Sequence, residues 1–115
     1  MDTISEKAYQ ARAFPELSLL VDALDVFSDE LFAELAGDVL TIEFTDQVRY
    51  VINSHLAARQ IWLAANARAW HFSFDEASST WLDDKGQTID GRRVELVAQV
   101  AAIVKEQAGV DVRAR

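Results

Sequence analysis

The sequence predicts an α+β fold, a two-layer sandwich in which a helix near each end of the chain packs on one face of an antiparallel sheet of about five to seven strands. Near both ends, apolar residues recur every three or four positions, as in an amphipathic helix. Between them, short runs alternate apolar and polar residues, and hairpin-length gaps separate the runs. One sheet face can cover both helical stripes, so we expect a single domain over residues 1–115.

The first helix is predicted to begin at Thr3, with Glu6 completing a capping box. Pro15 interrupts the pattern. Because proline has no N–H for the carbonyl of Ala11, we expect a kink or a new helix start near Phe14. The apolar stripe of this helix consists of Tyr9, Ala13, Leu17, Leu20, Val21, Leu24 and Phe27.

The middle of the chain is predicted to be a series of antiparallel strands. The clearest is Val39–Phe44, in which Leu40, Ile42 and Phe44 alternate with polar residues. The strands are expected at about 30–35, 39–44, 48–53, 60–64, 69–74 and 80–82, followed by a loop over 83–87.

The second helix is predicted over residues 92–107. Asp90 is placed to cap its start, and Gly109 stands where a helix end favours a positive φ. Its apolar positions are numerous enough to need a sheet face to cover them.

One strand pair is predicted to display a binding surface. If Ile61 and Leu63 point into the core, their neighbour Trp62 points outward. A large aromatic among amides and imidazoles is typical of a binding surface, although spacing alone favours the simpler interpretation that a loop covers Trp62. The other outward residues on these and the next strand are Asn53, His55, Gln60 and His71.

Composition excludes several classes of protein. The net charge of −8 argues against a nucleic-acid partner. The sequence contains no apolar run near the roughly 20 residues of a membrane-spanning helix. Its first twenty residues carry charges and no apolar segment, so we expect no signal peptide. The absence of cysteine excludes disulfides and thiolate metal sites, and it fits a reducing cytosol.

The negative charge is concentrated at one end of the chain. Residues 1–38 hold nine acidic and two basic residues, whereas the remainder is nearly neutral. Such an end attracts a cation or a basic partner. Asp22, Asp25 and Asp29 fall at the spacing of one helical stripe, with Asp29 at the helix end or just past it. Carboxylate oxygens suit iron and other hard metals, but they bind weakly when they do not converge on one position. A merely solvated helix face is the simpler interpretation.

No motif of an enzyme is present. The sequence has no nucleophile elbow, phosphate-binding glycine loop or zinc-protease helix. His55 and His71 both fall on the predicted outer face and could meet across neighbouring strands. An enzyme built on this pair is a weak hypothesis, since no nucleophile is placed by motif beside either residue. We therefore expect a protein that is not an enzyme.

The runs VLTIEF, YVIN-x-H, QIWLA and WHF, followed by a tryptophan strand and a closing helix, resemble the frataxin family, specifically its bacterial CyaY-type members. This resemblance implies iron–sulfur cluster assembly: weak binding of Fe²⁺ or Fe³⁺ through an acidic ridge, and docking on a cysteine desulfurase–scaffold complex. The implied iron residues are Asp22, Asp25, Asp29, Glu30 and Glu34. The implied partner-binding residues are Asn53, His55, Gln60, Trp62 and His71.

The resemblance also implies a cytoplasmic protein that is a monomer without iron, with possible iron-dependent oligomers. His55 departs from the family pattern, which usually has glutamine there, and Pro15 is unusual within the first helix. The alternative function is that of a small acidic cytosolic chaperone that binds a secretion substrate. Such a chaperone would normally be a dimer, so the mass in solution separates the two hypotheses.

Overall fold

The computed structural model describes residues 4–86, 88–89 and 92–114. Two helices flank the strands, and a short 3₁₀ turn, Leu56–Ala58, connects the third strand to the fourth. The helices are α1 (Glu6–Asp25) and α2 (Leu96–Ala108), and the strands are β1 (Leu31–Ala36), β2 (Val39–Phe44), β3 (Arg49–His55), β4 (Gln60–Ala65), β5 (Arg68–Asp75), β6 (Thr80–Asp83), β7 (Thr88–Ile89) and β8 (Arg92–Arg93).

The main sheet is a six-stranded antiparallel meander in the order β1-β2-β3-β4-β5-β6. Every strand pairs with its neighbour in sequence, as the short predicted gaps require. Strands β7 and β8 form a separate two-stranded hairpin after β6. The expectation of about five to seven antiparallel strands is confirmed.

Both helices pack on one face of the sheet. The inward residues of β1 to β6 and the apolar stripes of α1 and α2 form one buried cluster. Trp81 belongs to this cluster, and its ring meets the rings of Tyr9 and Phe74 edge-on at centroid distances of 5.7 and 5.3 Å. The opposite face of the sheet carries no helix among the described residues. The predicted two-layer sandwich is therefore confirmed.

Helix α1 starts later than expected and continues through its proline. The predicted cap Thr3 lies outside the described residues; Ser5 caps the helix by accepting a hydrogen bond from the backbone N–H of Ala8 at 3.1 Å. Pro15 stands inside the helix, so the predicted new start near Phe14 is wrong, whereas the alternative of a kink there stays a prediction. Pro15 and Ala11 are both exposed, and water can therefore bind the carbonyl that proline leaves unpaired.

The start of α2 was also predicted wrongly. Asp90, the expected cap, lies outside the described residues, whereas residues 92–93 form strand β8 and the helix begins at Leu96. Glu95 caps it by accepting hydrogen bonds from the N–H groups of Val97 and Ala98. The other end agrees with the prediction, since Gly109 is the C-cap with a φ of 73°. Neither described helix is long and apolar enough to cross a membrane.

Candidate functional site

The register of the sheet brings the outward residues of β3, β4 and β5 together on its uncovered face. Trp62 lies opposite Asn53 on one side and opposite His71 on the other. Gln60 lies opposite His55 and, across the next strand pair, opposite Ser73. The residues that the family resemblance assigns to partner binding therefore form one continuous surface.

Trp62 lies between two imidazole rings. The His55 ring stacks on one face of the indole at a centroid distance of 3.9 Å, and the His71 ring stacks on the other at 4.3 Å. The planes are inclined by only 13° and 18°. Trp62 is thus half-buried by its neighbours on the sheet, and the expectation that a loop covers it is not what the structure shows. We call these three residues the aromatic stack.

The polar edge of the indole is also occupied. Its Nε1–H donates a hydrogen bond to Oε1 of Gln60 at 2.9 Å. The amide nitrogen of Gln60 in turn donates to Oγ of Ser73 at 3.1 Å and to Oδ2 of Asp84 at 2.8 Å. A binding partner therefore meets the ring edges and this polar network, since neither indole face is open.

Two members of this network were not among the predicted site residues. Ser73 was placed on the correct face by the alternation of β5, but nothing in its spacing distinguished it. Asp84 was assigned to a loop; it lies beside β5 because its backbone N–H donates to the carbonyl of His71 at 2.9 Å. Such a contact depends on the position of β6, which local sequence does not encode.

Asn53 and His55 complete the β3 side of the surface. The side-chain nitrogen of Asn53 donates to the carbonyl of Ser54 at 3.3 Å. Nδ1 of His55 is enclosed and has no hydrogen-bond partner within the described chain. The ring of His55 is therefore held by its stacking on Trp62 rather than by hydrogen bonds.

A buried tyrosine on α1 supports this surface from behind. The hydroxyl of Tyr9 donates to the carbonyl of Gln60 at 2.6 Å and accepts from the N–H of His55 at 3.1 Å, with Oγ of Ser54 also at 2.6 Å. Burial raises the pKa of Tyr9, so the hydroxyl keeps its proton at neutral pH. Tyr9 thereby fixes the backbone where β3 ends and β4 begins.

The predicted iron residues lie on three neighbouring parts of the chain, and all of their side chains are exposed. Asp22 and Asp25 belong to the C-terminal end of α1. Asp29 and Glu30 follow the helix and line a groove of about 250 Å³ together with Asp46. Glu34 points to the uncovered sheet face from β1, opposite Thr41.

These carboxylates do not form a closed metal site. Over the described residues, no group of three or more histidine, aspartate or glutamate side chains is arranged to hold a metal ion. Separate, solvated carboxylates can still attract a hard cation, although without fixed coordination the binding is weak. The arrangement thus suits transient contact with a hard cation better than permanent retention of one.

The two histidines do not form a reactive pair. They lie on opposite faces of the indole, so their imidazoles cannot share a proton or a metal ion. The hypothesis of an enzyme built on His55 and His71 loses its geometric basis.

Comparison with protein families decides the relationship. The model of the frataxin-like domain matches residues 2–108. This chain belongs to the frataxin family. The match spans both helices and the whole sheet of the frataxin fold described above.

Curated frataxin relatives resemble the chain over most of its length. A protein of Dechloromonas aromatica is 34% identical over 107 residues, covering 92% of this chain and 94% of that protein. One from Pseudomonas aeruginosa is 37% identical over 101 residues, covering 81% and 88%. Both are named iron–sulfur cluster assembly protein CyaY.

Solved frataxin structures share the fold. Frataxin from Psychromonas ingrahamii superposes with a TM-score of 0.82 at 19% identity, covering 97% of this chain and 99% of that one. Trimeric frataxin from the yeast Saccharomyces cerevisiae gives a TM-score of 0.69 at 25% identity, covering 86% and 80%. The family assignment leaves the alternative of a secretion chaperone without support.

Proposed function

We propose that this protein acts in iron–sulfur cluster assembly as a binding protein that docks on a cysteine desulfurase–scaffold complex and carries iron weakly. It works in the cytoplasm as a monomer and catalyses no covalent step. Family membership and the names of the curated relatives support the pathway. The observation that carries the docking proposal is the aromatic stack on a sheet face that no described helix covers.

The aromatic stack has the properties of a protein-binding hot spot. Trp62 is held rigid by two rings and by its hydrogen bond to Gln60, so docking orders few additional side-chain rotamers. Tryptophan is enriched among the residues that dominate binding energy, and half-buried amides around it supply directional contacts. The rigid centre and the polar surroundings together favour a specific protein partner.

The acidic end supplies the long-range part of the interaction. The exposed carboxylates of α1 and β1 attract Fe²⁺ or Fe³⁺, and they also attract a basic surface on the desulfurase. Iron held there is exchangeable because the carboxylates do not converge on one position. This arrangement suits delivery or sensing of iron during docking.

Replacement of Trp62 tests the docking surface. We expect Trp62→Ala to leave the fold intact, because the indole lies outside the main core, and to weaken binding to the desulfurase–scaffold complex by at least tenfold. Binding would be measured by isothermal titration calorimetry with the complex from the same organism.

Phe32→Ala is the matched control. Phe32 is an aromatic residue of the same sheet face, 62% exposed, on the distant strand β1. Its removal should change the dissociation constant by less than twofold. Equal affinity of wild type and Trp62→Ala would refute the docking surface.

A further inference from the structure

Asp84 places a carboxylate at the edge of the aromatic stack. It follows β6 directly, and its side chain is 31% exposed. One oxygen, Oδ2, accepts the hydrogen bond from Gln60 and lies 3.9 Å from Nδ1 of His71, too far for a hydrogen bond. The carboxylate is therefore fixed in position by the same amide that holds the indole.

The charge of Asp84 is not neutralised by a lysine or arginine among the described residues. Among the described side chains, the one ion-pair contact of Asp84 is the 3.9 Å approach of His71, and the guanidinium of Arg93 donates instead to the carbonyl of Asp83. Within the described chain, no hydrogen bond engages the second oxygen of Asp84, Oδ1. One carboxylate oxygen thus remains available at a defined point of the surface.

An aromatic surface lies next to this carboxylate. The three rings stack one after another, with His55 on β3, Trp62 on β4 and His71 on β5. Trp62 therefore covers only one face of His71. The other face is turned toward the β6 side, where Asp84 follows the strand, and the His71 side chain is 31% exposed. A carboxylate beside a flat aromatic ring is the combination that a guanidinium recognises, by charge-assisted hydrogen bonds and by stacking.

We propose that Asp84 and His71 form a docking slot for an arginine side chain of the partner protein, in which the guanidinium binds the carboxylate and stacks on the imidazole. This rests on the proposed function and names the chemistry of the partner at that surface. The net charge of −8 favours a cationic residue there, and the planar guanidinium fits the ring better than the compact ammonium of lysine.

The slot can be tested without the partner. Acetyl-arginine amide is titrated into the protein at one constant pH. The signals followed by NMR are those of the Trp62 indole N–H and of the His71 ring. We expect saturable shifts in wild type and a dissociation constant about fivefold higher in Asp84→Asn, whose amide oxygen still accepts the hydrogen bond from Gln60.

The control variant is Glu76→Gln, which removes one exposed charge in the turn between β5 and β6. It should bind acetyl-arginine amide as wild type does. Equal affinity of Asp84→Asn and Glu76→Gln would overturn the slot. Equal affinity of wild type for acetyl-lysine amide would overturn its selectivity for a guanidinium.

The same variants are then titrated with the desulfurase–scaffold complex. We expect Asp84→Asn to bind several-fold more weakly than Glu76→Gln. If wild type binds the complex and the two variants bind it equally, the slot is not used in docking. If wild type fails to bind the complex, the proposed function fails, and the arginine titration still decides whether the slot exists.

Discussion

At the scale of single residues, the hydroxyl group of Tyr9 connects the helical layer to the candidate docking surface. It is fully buried and contacts His55, Gln60 and Ser54, which lie at the junction of β3 and β4. The side chains of His55 and Gln60 contact Trp62 directly, by stacking and by a hydrogen bond. The geometry of the aromatic stack therefore depends on a residue that no partner can touch.

Tyr9→Phe removes this connection and keeps the ring. We expect the free energy of unfolding to fall by about 2 kcal/mol, because the N–H of His55 and the carbonyl of Gln60 lose their partner in a part-buried place. Urea unfolding measures the change, and the indole N–H signal of Trp62 should also shift. Tyr50→Phe is the matched control: its hydrogen bonds, at 3.1 to 3.5 Å, are longer, so the loss should be smaller.

The raised pKa of Tyr9 gives the same variant a pH signature. Burial keeps the phenol protonated in the folded protein above its ordinary pKa of 10.0, whereas the unfolded chain releases the proton there. Unfolding then releases a proton, so stability present below about pH 10 is lost as the pH rises further. Tyr9→Phe should lose less stability than wild type between about pH 9 and 11. Parallel curves would show that this phenol does not contribute.

Trp62 shows which part of the site the sequence could predict. Its outward direction follows from the two-residue period of β4, because Ile61 and Leu63 must enter the core. The stack does not follow from that period, since it requires the registers of two strand pairs and specific side-chain rotamers. The position of Asp84 in the site could not be predicted for the same reason. Its hydrogen bond with Gln60 joins residues on opposite sides of β5 and depends on the register of both strand pairs.

At the scale of elements, long periodic segments were predicted well and their ends were not. The interior of α1 and the strand β2 have several apolar residues at one period, which local sequence specifies strongly. The start of α2 was misplaced because residues 92–93 belong to a two-residue strand, too short to produce a pattern. Capping is decided by single side chains, and Glu95 was not recognised as one of them.

The hairpin between β4 and β5 contains a local strain that a substitution can relieve. Asn66 and Ala67 form its two-residue connection with φ values of 50° and 66°, the pattern of a type I′ turn. Alanine is disfavoured at positive φ because its Cβ crowds the carbonyl oxygen. Glycine avoids this contact, although it adds freedom to the unfolded chain.

We therefore expect Ala67→Gly to stabilise the protein by about 0.5 kcal/mol, measured by thermal unfolding. Ala64→Gly is the matched control, since Ala64 is exposed within β4 and does not have a positive φ. That change should destabilise the protein. Loss of stability in both variants would contradict the interpretation of the turn.

At the scale of the whole molecule, the acidic end contains charges that destabilise the helix on which they lie. Asp22 and Asp25 stand in the last turn of α1, which contains no basic residue. Negative charges near a helix C-terminus are unfavourable because the macrodipole is negative there. If this helix face is merely solvated, nothing compensates for the unfavourable charges. If it binds cations, the bound cation offsets them.

The double variant Asp22→Asn, Asp25→Asn separates these interpretations. Without metal it should be more stable than wild type by about 0.5 kcal/mol at low salt, because the unfavourable charges are removed. Its affinity for Fe²⁺ should nevertheless fall by at least threefold, measured under anaerobic conditions by calorimetry. In wild type, Fe²⁺ should broaden the amide signals of residues 22–34 before those around the aromatic stack.

The charge-matched control is Glu76→Gln, Glu106→Gln, which removes two exposed carboxylates outside the acidic end. It should bind Fe²⁺ as wild type does, since iron attracted only by net charge would respond equally to both double variants. A rise in stability together with a fall in iron affinity in the α1 variant, with no fall in iron affinity in the control, would identify a cation-binding surface maintained against the helix dipole. Equal iron affinity in both variants would leave the aspartates as solvated surface residues, and docking on a basic partner would be the remaining use for the acidic end.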